Sequence, residues 1–254
     1  MPEAGAFDNP PEVYKDQPPV TITEKAPTSI IIGTPLAGSV CHEPYLFSVI
    51  NTGNYLKSHG IDKGLATVGG SWTAEARNTI AALFMADKLR THLMFIDGDI
   101  AWKPQDVKRL IDADVPIIGA LYPRKHLVWE AAAGWDGKNV VELSNQVMRR
   151  SWPCEPVGER VADRVPVDWL QTGFLLIRRD ALEIVRAHKG ETHAYFGPKE
   201  EPMYSYFDYP LRESKGKMRR FGEDYAFCKD AQAAGLQVWR LLDVELRHVG
   251  QVTF

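Results

Sequence analysis

Short apolar runs alternate along the first half of the chain with segments in which apolar residues return every three or four positions. Ser29-Ile30-Ile31-Ile32-Gly33 is the first run, and it predicts a short buried strand that stops at Thr34-Pro35. Pro44 is placed to open a helix in its first turn and Gly60 to close it. Residues 65–68 read as a second strand, ended by Gly69-Gly70. Ser71 or Thr73 is then expected to cap a helix in which Ala76, Ile80, Leu83 and Phe84 share one face. Residues 93–96 form a third strand. Pro104 opens a helix with Val107, Leu110 and Ile111 on one side, and residues 115–121 form a fourth strand. Strands apolar on both faces, alternating with helices, predict an α/β fold: a mostly parallel, Rossmann-like central sheet flanked by helices.

The second half is less regular. Gly134, Trp135 and Gly137 suggest a turn between short strands over 129–141. Gly173-Phe174-Leu175-Leu176-Ile177 predicts a buried strand with a helix following from Asp180. Residues 188–221 mix Gly, Pro, Tyr, Glu and Lys without periodicity and read as a long surface loop, a length that often marks a functional lid. A helix over 224–234 closed by Gly235 and a last strand over 236–242 complete the pattern. Residues 1–27 carry Pro10, Pro11, Pro18, Pro19 and Pro27 with little apolar periodicity, and are expected to be a flexible arm before one folded unit over 28–254.

Composition narrows the class. Hydrophobic content of 44% and charged content of 25% are ordinary for a globular protein, and the formal net charge of -3 gives no electrostatic case for nucleic acid as a partner. No apolar run reaches the ~20 residues of a membrane span. Cys41, Cys154 and Cys228 lie far apart without a Cys-x-x-Cys pair, which suits a reducing cytoplasm rather than a zinc knuckle or disulfide framework. A cytoplasmic enzyme or binding protein is expected.

Three short motifs could carry chemistry. Asp97-Gly98-Asp99 ends the third strand, and ligands of open α/β sheets bind beyond the carboxyl ends of strands. One residue between two carboxylates lets both reach a hard cation such as Mg²⁺ or Mn²⁺, and Gly98 lets backbone approach a ligand. The same three residues are equally suited to a plain turn, and the residues alone leave both readings standing. Glu223-Asp224 precedes an amphipathic helix, where acidic groups complement the helix dipole or one serves as a general base; the helix terminus should lower its pKa. His248, after the last strand, could be a cation ligand or an ordinary histidine.

Taken in order, these features resemble the GT-A glycosyltransferases, with the nearest likeness to small glycosyltransferase-2-type enzymes of bacteriophages, large viruses and bacteria. The matching elements are Ile32-Gly33-Thr34-Pro35, Ala76-Arg77-Asn78, Phe95-Ile96-Asp97-Gly98-Asp99, Thr172-Gly173-Phe174-Leu175-Leu176-Ile177, Gly222-Glu223-Asp224 and Arg247-His248-Val249-Gly250. They cover about residues 28–250. The resemblance implies a nucleoside-diphosphate-sugar donor bound by the half over 28–125, with the half over 126–254 serving the acceptor and catalysis. Thr34 and Pro35 would line the nucleoside pocket, and Arg77, Asp97, Gly98 and Lys125 would lie along the donor. Asp97, Asp99 and His248 would hold Mn²⁺ or Mg²⁺. Asp224 would deprotonate a hydroxyl of a glycan or other acceptor, with inversion, and Glu223 is the reserve. Trp169 and Gln171 are the expected acceptor contacts, chosen from a tryptophan-dense stretch that also holds Trp129, Trp135 and Trp152. The 188–221 loop would exclude water. His248 leaves little chain for an acceptor domain or a membrane anchor, so the acceptor is unspecified.

Other classes fit less of the pattern. A haloacid-dehalogenase-type phosphatase wants Thr or Val where Ala101 stands, and its two aspartates follow the first strand rather than the third. A sugar-nucleotide pyrophosphorylase or hydrolase would share the sheet, but Thr34-Pro35-Leu36-Ala37-Gly38 lacks the expected basic residue. A non-catalytic carbohydrate-binding protein has no use for all four carboxylates.

Overall fold

The computed structural model of the chain describes residues 27–70, 72–125, 137 and 154–250. The first stretch runs β1 (Ser29–Leu36), α1 (Glu43–Ser58), β2 (Asp62–Gly69), α2 (Thr73–Ala86), β3 (His92–Ile96), β4 (Ile100–Ala101), α3 (Pro104–Asp112) and β5 (Ile117–Gly119). The second runs β6 (Arg164–Val167), β7 (Phe174–Arg178), α4 (Arg179–Lys189), β8 (Ala194–Phe196), β9 (Pro202–Tyr204), β10 (Leu211–Ser214), β11 (Lys217–Arg220), α5 (Glu223–Ala233), β12 (Val238–Leu241) and β13 (Arg247–His248).

Seven strands form the central sheet in the order β2-β1-β3-β7-β5-β12-β6. β1, β2, β3, β5 and β12 run one way, and β7 and β6 run against them. The two-residue period of the strands splits their apolar side chains between two cores. Ile30, Ile32, Met94, Ile96, Phe174 and Leu176 meet α1 and α3 on one face. Ile31, Leu93, Phe95, Leu175 and Ile177 meet α2, α4 and α5 on the other. Every residue of β3 is buried, as the run without alternation requires. Each large apolar side chain taken fully out of water contributes roughly 1.5–3 kcal/mol.

The α/β architecture and the mostly parallel sheet stand as expected, with physical reasons for each departure. β1 does not stop at Thr34-Pro35 but continues to Leu36. Its pairing with β3 ends at Gly33, so Pro35, which has no N–H to donate, lies where only β2 flanks the strand. β7 enters antiparallel between β3 and β5, which brings its amino end, rather than its carboxyl end, beside Asp97. Thr73 lies inside α2; the cap position is Trp72, which makes no side-chain cap bond, and Ser71 falls outside the described residues. On α2, Ala76, Ile80 and Phe84 are buried but Leu83 is exposed.

The 188–221 segment is not a structureless loop. It folds as the hairpins β8–β9 and β10–β11, and its Tyr204, Tyr206 and Phe207 are core residues. Phe207 packs edge-on against Phe95 at 5.2 Å and stacks on Phe227 at 4.7 Å. The Asn78 amide clamps it by donating to the Phe207 carbonyl and accepting the Phe207 N–H, both at 2.9 Å. β12 is not the last strand, since β13 follows and pairs with β4. The turn expected over 129–141, with Trp129 and Trp135, lies outside the described residues except at Gly137, and so do Trp152 and residues 1–26 of the expected arm. Among the described residues no helix is long and apolar enough to cross a membrane.

Candidate active site

The Asp97-Gly98-Asp99 segment is a turn. The Asp97 N–H donates to the Gly173 carbonyl at 3.1 Å, and the Asp97 carbonyl accepts the Ile100 N–H at 3.0 Å. Gly98 is needed because a Cβ there would stand 2.9 Å from Leu36 Cδ2 and 3.5 Å from the Val40 carbonyl. The glycine therefore admits neighbouring chain, which is a different use from the close ligand approach expected of it. After the turn, β4 pairs with β13 so that Ile100 lies opposite His248, and the Val249 N–H donates to the Asp99 carbonyl at 2.8 Å.

That pairing delivers His248 to Asp99. His248 Nε2 is 3.4 Å from Asp99 Oδ1, and His248 Nδ1 is 2.7 Å from the Pro123 carbonyl. A carbonyl only accepts, so Nδ1 donates to it, and Nε2 is the nitrogen turned toward the carboxylate. Asp99 Oδ1 is buried and has no hydrogen-bond partner. Asp99 Oδ1 and His248 Nε2 are an oxygen and a nitrogen of the kinds that ligate divalent cations. Adjacent ligands of an octahedral divalent ion at about 2.1–2.3 Å are separated by about 3 Å, close to the spacing here. A histidine ligand that donates its other nitrogen to a backbone carbonyl is also the usual second layer of such a site. The residues fit a divalent cation. Asp99 Oδ2 is bonded to Lys125 Nζ. Burial pushes the Asp99 carboxyl upward, but His248 and Lys125 outweigh it and hold its pKa at about 2.

Asp97 is directed elsewhere. Its Oδ1 accepts a 2.9 Å hydrogen bond from Arg77 Nη2, and Arg77 Nε lies 3.5 Å from Glu223 Oε1. The Arg77 guanidinium also sits over the Phe95 ring, 5.3 Å from its centroid. Arg77 is 2% exposed and bridges Asp97 and Glu223, while its Nη1 has no hydrogen-bond partner. Burial alone would lower its pKa, yet Asp97 and Glu223 raise it and keep it charged. Among the described residues no group of three His, Cys, Asp or Glu side chains is assembled for a metal. Of the expected trio, Asp99 and His248 face each other, while Asp97 Oδ1 is taken by Arg77.

Asp224 opens α5, with Gly222 in the cap position. A Cβ on Gly222 would stand 2.7 Å from Asp224 Oδ1, so glycine clears room for the carboxylate. The Asp224 carboxylate accepts the Tyr225 N–H at 2.7 Å. Its pKa is nonetheless raised to about 6, first by burial and then by the neighbouring Glu223 charge. The expected lowering by the helix terminus loses to desolvation. Trp169 meets Tyr225 edge-on at 5.9 Å, and Tyr225 stacks on Phe221 at 4.9 Å. An aromatic row therefore flanks Asp224. Gln171 and Thr172 are buried, and Gln171 Oε1 and Thr172 Oγ1 lack hydrogen-bond partners.

On the donor side, Thr34 is fully buried and its hydroxyl is shared with the Tyr45 hydroxyl at 2.5 Å. Its side chain is therefore turned into the core under the strand, and only half-buried Pro35 reaches the surface. Tyr122 is the residue that sequence reasoning passed over. A Cβ on Gly173 would lie 2.3 Å from its hydroxyl and 2.5 Å from Asp97 Oδ2, which places the phenol against Asp97. Its ring meets His248 edge-on at 5.2 Å. Burial first, and then the Asp97 charge, hold its pKa well above the ordinary value, so it remains a neutral phenol. The available signal was a hydroxyl-bearing aromatic just past an apolar strand, at the edge where Asp97 sits. A separate cavity of about 250 Å³, lined by Val157, Asp168, Lys229, Gln232 and Val238, holds none of the predicted site residues.

No family model matches the chain, and no curated protein matches it. Several solved structures show a distant likeness to it. One is described as A197 from STIV, with 15% identity, 88% of this chain and 86% of that chain covered, and a TM-score of 0.47. GalNAc-T7, solved with UDP, GalNAc and Mn²⁺, shows 12% identity over 90% of this chain and 45% of that one, with a TM-score of 0.41. A glycosyltransferase involved in glycosylation of the major capsid of PBCV-1 shows 14% identity over 62% of this chain and 63% of that one, with a TM-score of 0.34.

Proposed function

We propose that the protein is a metal-dependent glycosyltransferase that moves a sugar from a nucleoside diphosphate to an acceptor hydroxyl, with inversion at the anomeric carbon. The observation that carries this reading is Arg77, which touches both Asp97 and Glu223. Through it, the turn leading to the Asp99–His248 pair and the acidic pair opening α5 belong to one site. Residues 28–125 serve the donor in this reading, and the chain beyond them supplies the acceptor side with Trp169 and Gln171.

Asp224 accepts the proton of the acceptor hydroxyl as that oxygen attacks the anomeric carbon. The bond from this carbon to the diphosphate oxygen breaks, and its electron pair leaves with the nucleoside diphosphate. A pKa near 6 makes Asp224 a stronger base than an ordinary carboxylate while leaving it mostly ionised at pH 7. A divalent cation held by Asp99 and His248 would supply Lewis-acid stabilisation of the leaving charge. Arg77 holds Asp97 and Glu223 in place, and the aromatic row of Trp169, Tyr225 and Phe221 offers faces for an acceptor sugar.

The test is a panel of UDP-, GDP- and dTDP-sugars, assayed for binding and sugar release with and without Mn²⁺. Metal-dependent binding of one donor is expected, with release accelerated by an acceptor hydroxyl. Failure to bind any of them, with Asp99 and His248 intact, would sink the donor assignment. Release that no acceptor accelerates would point to a hydrolase.

A further inference from the structure

Asp99 carries one negative charge and already has a cation. Lys125 Nζ is bonded to Asp99 Oδ2, while Oδ1 faces His248 Nε2 at 3.4 Å. The Lys125 stem runs along Gly250, where a Cβ would stand 3.4 Å from its Cγ and Cδ. The contact is partly open to water, since the Lys125 side chain is 40% exposed and that of Asp99 25%. The ammonium is thus seated on the carboxylate without being locked there.

We propose that Lys125 is an internal counter-cation that competes with the divalent metal for Asp99 and couples metal binding to binding of the donor diphosphate. This rests on the glycosyltransferase reading. A divalent ion between Oδ1 and Nε2 would put two cations on the two oxygens of one carboxylate, and their repulsion weakens metal binding when no other anion is present. A diphosphate brings negative charge that can neutralise both the metal and the displaced ammonium. Metal and nucleotide therefore strengthen each other's binding, and the reciprocity of linked equilibria makes the effect equal in both directions. With the ammonium on Asp99 in the absence of nucleotide, the carboxylate keeps its orientation and the empty protein holds metal loosely.

Calorimetric titration of Mn²⁺ alone, and then of UDP at saturating Mn²⁺, into wild type, Lys125→Met and Lys125→Arg tests this without reference to turnover. Lys125→Met should bind Mn²⁺ alone about tenfold more tightly than wild type and should bind UDP about tenfold more weakly in the presence of Mn²⁺. Lys125→Arg, which keeps the charge, should stay close to wild type in both titrations. Unchanged or weaker Mn²⁺ binding by Lys125→Met, with its melting temperature preserved, overturns the competition. Absence of Mn²⁺ binding in wild type and Lys125→Met alike overturns the metal reading of Asp99 and His248 itself, a failure distinguishable from the first. Asp99→Asn should abolish binding in either background.

Discussion

Asp224 is the residue whose chemistry departs furthest from its sequence context. At a helix amino terminus it should be an ordinary low-pKa carboxylate, yet burial and Glu223 raise it to about 6. Its ionisation is therefore unfavourable in the fold: stability falls as pH rises from the unfolded value near 3.8 to about 6, and the penalty is complete above that. Asp224→Asn should raise stability by about 1–2 kcal/mol at pH 7.5 and leave it unchanged near pH 4, as thermal melts at the two pH values can check. The same substitution should cut turnover by about 10²–10⁴ while leaving donor affinity within a few fold. Equal loss of both would mark Asp224 as structural. In wild type, kcat/KM should fall about tenfold per pH unit below pH 6. Arg77 is the opposite case, a buried cation whose value lies in what it joins. Replacing it with Met strands Asp97 and Glu223 and should destabilise the fold by about 3–5 kcal/mol in chemical denaturation.

At the scale of elements, β7 decides the geometry of the site. Because it runs antiparallel between β3 and β5, its entry residues Thr172 and Gly173 arrive beside Asp97 instead of at the far edge of the sheet. Gly173→Ala should force Tyr122 and Asp97 apart, at a cost of about 1–3 kcal/mol and with activity lost before the fold is; circular dichroism together with turnover reads this directly. The sequence of 188–221 does not signal its hairpins because their aromatic residues do not alternate regularly with polar ones. Tyr204, Tyr206 and Phe207 are buried by contact with α2, α5 and one another, a pattern with no sequence period. Asn78→Ala would leave the Phe207 N–H and carbonyl unpaired in the core. It should destabilise by about 2–3 kcal/mol and speed amide exchange in this segment.

For the molecule as a whole, the proposed metal pair depends on joining distant parts of the chain. β13 pairs with β4, and that contact brings His248 to Asp99. His248→Ala should weaken Mn²⁺ binding about 10–100-fold without altering the fold, which titration and a melting curve can separate. Much of this was legible in advance. Uninterrupted apolar runs such as Leu93-Met94-Phe95-Ile96 can only be strands buried on both faces, so the α/β class, the five described helices and the sheet edge carrying Asp97 and Asp99 follow from local periodicity. The order of the acidic and histidine motifs likewise singled out Asp99, Glu223, Asp224 and His248 as candidates. Direction and partnership were not legible, because they depend on non-local contacts that leave no period in the chain. The reversal of β7, the turning of Asp97 toward Arg77, the sealing of Thr34 by Tyr45 and the arrival of Tyr122 among the charged groups all arise from packing between segments remote in sequence. Local pattern specifies which residues are buried and which face the edge. Only the folded chain sets which charge meets which, because electrostatic pairing acts through space and is indifferent to sequence distance.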